Sequence, residues 1–184
     1  MSRQVFLFDP PERFVAGTVG EPGERTFYLQ ATGDGRTVSV ALEKVQVAVL
    51  AERLDELLGE VQRRLGVELP PVAPELEDVA PLAAPIEEEF RVGTMGLAWD
   101  GDAGLVVVEA HAQTGDGDEE APEPLTDTDE GPDVLRVRMS AGAARAFITR
   151  AERVVAAGRP PCPLCGLPLD ASGHVCPRQN GFRR

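Results

Sequence analysis

The sequence predicts an α+β fold: two β-β-β-α units whose antiparallel strands are covered by two helices, followed by a small C-terminal zinc-binding module. Three observations lead there. Short motifs recur in the same order in both halves of the chain. Each half passes from alternating apolar residues to apolar residues three and four apart, the change from strand to helix. The last segment holds every cysteine, at positions 162, 165 and 176.

The boundaries that follow are 1–68 for the first unit, 69–89 for a linker, 90–158 for the second unit and 159–184 for the tail. At the N-terminus, Val5-Phe6-Leu7-Phe8 is an extra edge strand, closed by a turn at Asp9-Pro10-Pro11. Phe14-Val-Ala-Gly17-Thr18-Val-Gly20 then matches Phe90-Arg-Val-Gly93-Thr94-Met-Gly96, and each is a first strand. The second strands are 26–32 and 105–114. Thr32-Gly33-Asp34-Gly35 and Thr114-Gly115-Asp116-Gly117 read as tight turns, because Asp-Gly readily takes positive φ. Third strands alternate as Val38, Val40, Leu42 and as Leu135, Val137, Met139.

A helix closes each unit. Val47, Leu50, Leu54, Leu57, Leu58, Val61 and Leu65 form one apolar stripe; Ala144, Phe147, Ile148, Ala151, Val154 and Val155 form the other. An offset of 97 carries the third strand of one unit onto the other and also places Leu50 on Phe147. Ser140 is the N-cap of the second helix, and Gly158 with Pro160 stops it. The expected superposition sets Gly17 on Gly93, Gly33 on Gly115 and Leu50 on Phe147.

Two stretches are expected to be exposed and mobile. The linker holds five prolines and six acids, and the loop 116–133 holds nine acids and three prolines; neither has a basic residue.

Composition narrows the function. The chain has 184 residues, 42% apolar and 27% charged, as in an ordinary globular protein. Its 31 acids against 18 basic residues give a net charge of -13. That disfavours a uniformly basic nucleic-acid binder and attachment to anionic lipid by overall charge. No apolar leader opens the chain and no segment reaches membrane-span length, so the expected compartment is the cytoplasm. An odd number of cysteines gathered at one end is not a disulfide framework.

The chemical signal is Cys162-x2-Cys165, eight residues, then His174-x-Cys176. Zinc takes four tetrahedral thiolate or imidazole ligands, and a C-x2-C hook supplies two of them. Gly166 lets the backbone turn back toward the sulfurs. His174 and Cys176 share one side of an extended segment. A redox pair is the rival reading, but such pairs open a helix after a strand, and here prolines surround the hook. A filled Cys3His shell makes the zinc structural. The tail carries Arg159, Arg178, Arg183 and Arg184 against Asp170 alone, which either keeps the module soluble or docks a partner.

Glu109, His111 and Gln113 line one face of a strand, either as a half-exposed polar face or as a general-base pair. The Gly-Thr-x-Gly pieces lack the Lys and Ser/Thr of a phosphate loop, so their glycines are bulges or close contacts. The large aliphatic residues are used up in the core, leaving few to line a deep apolar cavity.

The Arg3-Gln-Val-Phe-Leu-Phe-Asp-Pro-Pro-Glu-Arg-Phe-Val-Ala-Gly-Thr start and the Cys162-Pro-Leu-Cys165-Gly…Gly-His174-Val-Cys176-Pro-Arg178-Gln-Asn180-Gly finish resemble an uncharacterised actinobacterial "repeat protein" family. The resemblance covers nearly the whole chain. It implies a cytoplasmic protein with no assigned activity, and its end motif makes Arg178 and Asn180 candidate contact residues, to which Arg183 of the basic tail is added. The expected function is therefore a non-enzymatic adaptor that presents a zinc module to a protein partner, with no catalytic residues. The alternative is an enzyme with its site between the two units, and a weaker one has the basic tail touching RNA or DNA.

Overall fold

The computed structural model describes residues 2–66, 68–72, 76–115, 130–169 and 173–178. Nine elements follow one another: β1 (Val5–Phe8), β2 (Arg13–Val19), β3 (Thr26–Gly33), β4 (Arg36–Leu42), α1 (Lys44–Leu65), β5 (Glu88–Asp100), β6 (Leu105–Ala112), β7 (Val134–Met139) and α2 (Ala141–Ala156). Strands β2, β3 and β4 form an antiparallel meander, as do β5, β6 and β7. The meanders join through a parallel pairing of β4 with β5, giving one mixed seven-stranded sheet in the order β1-β7-β6-β5-β4-β3-β2.

Both helices pack on one face of this sheet. Leu29, Val40, Val108 and Val137 share a single core with Leu50, Leu54, Phe147 and Ala151. The offset of 97 holds in burial: Val47 and Ala144, Leu50 and Phe147, and Leu54 and Ala151 are all buried. Ser140 caps α2 by accepting from Ala143 N at 3.1 Å, and the helix ends two residues before Gly158. The turn match fails. Asp34-Gly35 does make the β3–β4 turn, both with positive φ. Thr114 and Gly115 lie beyond the end of β6, and residues 116 and 117 fall outside the described residues. An offset of 82 would also place Leu29, which faces the helices, on His111, which faces away. A one-residue parity error exchanges the faces of a strand, so those two motifs are not structural equivalents.

The sheet cannot be flat. Seven strands about 4.8 Å apart span about 29 Å. Yet β1 and β2 are its two edges, and the connection from Phe8 to Arg13 reaches only about 18 Å when extended. The sheet therefore curls, with the helices on its concave side. The closure shows where Arg36 donates to Leu7 O and its guanidinium lies 4.7 Å above the Phe8 ring. Helix α2 covers the free edge of β2: Arg150 Nε donates to Ala16 O at 2.8 Å, and Phe147 stacks on Phe14 at 4.7 Å.

From Leu76 onward the Pro- and acid-rich linker is mostly exposed, as expected, but it is anchored to the sheet and α2 at several points. Leu76 lies beside α2 near Gly142, and Asp78 meets Arg13, Arg150 and Arg153 at the β2 edge. The chain then crosses the convex face. Leu82 sits so close over Gly17 that a Cβ there would lie 2.6 Å from its side chain. Gln30 accepts from Ala83 N at 2.7 Å and donates to Ala83 O at 3.0 Å. Strand β5 begins at Glu88, opposite Ser39. With α1 on one face and this strap on the other, the chain encircles β2, β3 and β4. Composition reads solvation; it carries no sign of which acid finds three arginines. The acidic loop is described only at residues 130–133.

Candidate metal centre

The tail after α2 folds into a tight hook. Pro161 bridges Pro168, Cys162 N donates to Leu167 O at 2.8 Å, and Leu169 N donates to Pro160 O at 2.8 Å. Gly166 has φ of 75°, and its N–H returns to Cys162 O at 2.8 Å, so the Cys162-to-Cys165 segment closes on itself. The backbone N–H groups of Cys165 and Leu164 point at the Cys162 sulfur and hold its thiol down to about 6. Burial pushes the Cys165 thiol up.

The second pair completes the cluster. Cys162 Sγ lies 4.0 Å from Cys176 Sγ, and Cys165 Sγ lies 3.6 Å from His174 Nε2. All four ligand atoms are within 4.8 Å of one another, and Cys162 and Cys176 are buried. Metal–sulfur bonds of about 2.3 Å and metal–nitrogen bonds of about 2.0 Å in a tetrahedron set donor separations of about 3.5–3.8 Å. The cluster can thus hold a metal ion and is consistent with zinc. Three soft thiolates and an imidazole suit zinc better than magnesium or calcium, which take oxygen ligands. Arg178 is exposed two residues past Cys176; Asn180 and Arg183 lie outside the described residues.

Glu109 and His111 are neither half-exposed nor alone. Each is 1% exposed, and Arg136 on the neighbouring strand is 7% exposed. Arg136 Nε donates to Glu109 Oε1 at 2.6 Å, and Glu109 Oε2 lies 3.2 Å from His111 Nε2. Alternation alone sends the polar face of an antiparallel strand to solvent. Here an arginine from the next strand supplies the countercharge that burial of Glu109 requires. The sequence signal that could have found it is Arg136 amid the apolar alternation of β7. Gln113 lies past the end of β6 and is exposed.

An apolar groove of about 680 Å3 runs between α1 and β5, lined among others by Val45, Val49, Leu57, Met95 and Leu97. Helix α1 carries a second apolar stripe beside its buried one, and that stripe lines this open groove, not a deep cavity. Glu109 and His111 lie on the opposite face of the sheet from this groove.

The fold and the cluster define a mixed α+β protein with a C-terminal Cys3His cluster that could hold a metal ion. No helix among the described residues is long and apolar enough to cross a membrane. The chain belongs to a family described as protein of unknown function (DUF3090), whose model matches residues 6–176. That match runs from β1 through both helices to Cys176 and so includes all four donors. No curated protein and no solved structure matches the chain.

Proposed function

We propose that the protein is a cytoplasmic, non-enzymatic adaptor. Cys162, Cys165, His174 and Cys176 hold one structural zinc ion, and the module so formed presents Arg178, Asn180 and Arg183 to a protein partner. The observation that carries this is the completeness of the donor set: four ligand atoms within 4.8 Å fill a tetrahedral shell and leave no position for a reacting water. The open apolar groove beside α1, lined by Val45, Val49, Leu57, Met95 and Leu97, supports a binding role. The same element order and the 97-residue offset in buried helix positions support a duplicated ancestral β-β-β-α unit.

The test has two parts. Elemental analysis of reduced protein should find one zinc per chain, lost in Cys176→Ser, while far-ultraviolet circular dichroism and melting of the core stay unchanged. Absence of zinc sinks the metal assignment. The triple variant Arg178→Ala, Asn180→Ala, Arg183→Ala should then fail to recover the partner that the unaltered chain recovers from native cells. Unchanged recovery by that variant refutes the tail as the contact surface.

A second reading, an enzyme, is favoured by one observation: beside Glu109, His111 Nδ1 is buried without a hydrogen-bond partner among the described residues. It predicts that His111→Asn abolishes the cellular role in protein that still melts normally, whereas the tail variant retains it.

A further inference from the structure

In a chain of net charge -13, a group of cations that outnumbers the acids around it is unexpected. One such group stands at the end of the sheet where α1 starts. Arg25 immediately precedes β3, Lys44 is the first residue of α1, and Arg91 on β5 stands opposite Ala41 of β4. Pairing of Phe27 with Leu42 draws the two chain ends together. The three cations line a recess of about 140 Å3, with Thr26 and Glu43 among its other walls.

Lys44 Nζ and an Arg25 guanidinium nitrogen lie 3.1 and 3.9 Å from the same point beside Gly158. They are therefore within about 7 Å of each other, where like charges repel. Lys44 Nζ lies near the C-terminal end of α2, just before Gly158, where the helix dipole favours a cation. Arg25 is held 5.5 Å from the Phe27 ring. Among the described residues the acid paired here is Glu43, taken by Arg91 at 2.6 Å; neither Arg25 nor Lys44 is in an ion pair.

We propose that Arg25, Lys44 and Arg91 bind one phosphoryl group. The charge points to a dianion, because Glu43 offsets Arg91 and leaves two positive charges. A guanidinium fork matches phosphate oxygens, and the ammonium adds a point charge. The recess has room for a single phosphate and not for a nucleoside, so the remainder of a ligand extends into solvent. The site lies on the folded core and does not depend on the metal reading.

The test is calorimetric titration of the full chain at fixed ionic strength with inorganic phosphate, pyrophosphate, phosphoserine and acetate. Saturable binding of the phosphates, absent with acetate, is expected. Lys44→Gln and Arg25→Gln should each weaken it at least tenfold, while Arg53→Gln, in an exposed pair with Glu56, should not. Melting curves without ligand establish that the variants fold, Lys44 being exposed and Arg25 half-buried. Tighter binding of phosphoserine identifies a phosphorylated side chain as the source, and tighter binding of pyrophosphate a free phosphate; either supports the site. Acetate binding as well as phosphate, or variants that bind like the unaltered chain, overturns it.

Discussion

Asp78→Asn isolates what the strap contributes. The carboxylate accepts from Arg13 Nε and Nη2 and from Arg150 Nη1, with the last contact at 2.9 Å. Charge-assisted hydrogen bonds are worth about 1.5–3 kcal/mol each. The Asp78 side chain is 28% exposed and Arg13 21%, so solvent screens part of that. Asparagine keeps one acceptor oxygen and turns an amide donor toward the guanidiniums. A net loss of about 2 kcal/mol follows, which lowers the melting temperature by about 4–8 °C for a chain of this size. The dependence on pH gives the sharper check. The Arg13 guanidinium holds the Asp78 carboxyl below its ordinary 3.8, against some desolvation. A carboxylate depressed in the folded state stabilises fully above its unfolded pKa, and the contribution fades as pH falls through the folded value. Thermal melts of the two proteins should differ at pH 7, and the gap should close as pH falls through the depressed Asp78 pKa, below the ordinary 3.8. Equal melting at pH 7, or a gap that persists undiminished in acid, refutes the assignment of Asp78 as the anchor.

Two further outcomes test the packing. Gly17→Ala should drive Leu82 off the convex face, costing about 1–3 kcal/mol and opening the strap to limited proteolysis; unchanged melting and cleavage would contradict the close approach. Glu109→Gln should destabilise by about 3 kcal/mol, because Arg136 loses a buried charged partner, and a denaturant midpoint equal to that of the unaltered chain would show the pair is dispensable.

What the sequence disclosed is local. The stripes of α1 and α2, the Ser140 cap and the alternation of β4 and β7 are periodicities, and periodicity survives folding unchanged. The four donors were legible for the same reason: a hook and an extended pair fix ligand direction within a few residues. What escaped depends on distant meetings. Asp78 lies 65 and 72 residues from Arg13 and Arg150, and nothing in a Pro-rich stretch marks one acid among six. The curl of the sheet follows from two edge strands joined by a short connection, a closure visible only once strand order is known. The Thr-Gly-Asp-Gly match misled because turn chemistry recurs wherever chains reverse.

The parallel pairing of β1 with β7 also sets a timetable for synthesis. Val5 finds Val134, so the first strand made has no partner in the sheet until the last strand emerges. At about 5–20 residues per second, the intervening chain takes roughly 6–26 s to appear. Throughout that interval Val5-Phe6-Leu7-Phe8 is an apolar segment with unpaired backbone groups on a nascent chain. Expression of the protein thus draws on whatever shields nascent chains in the cell. Any product stopped before β7 carries β1 without its strand partner, marking it for aggregation or removal.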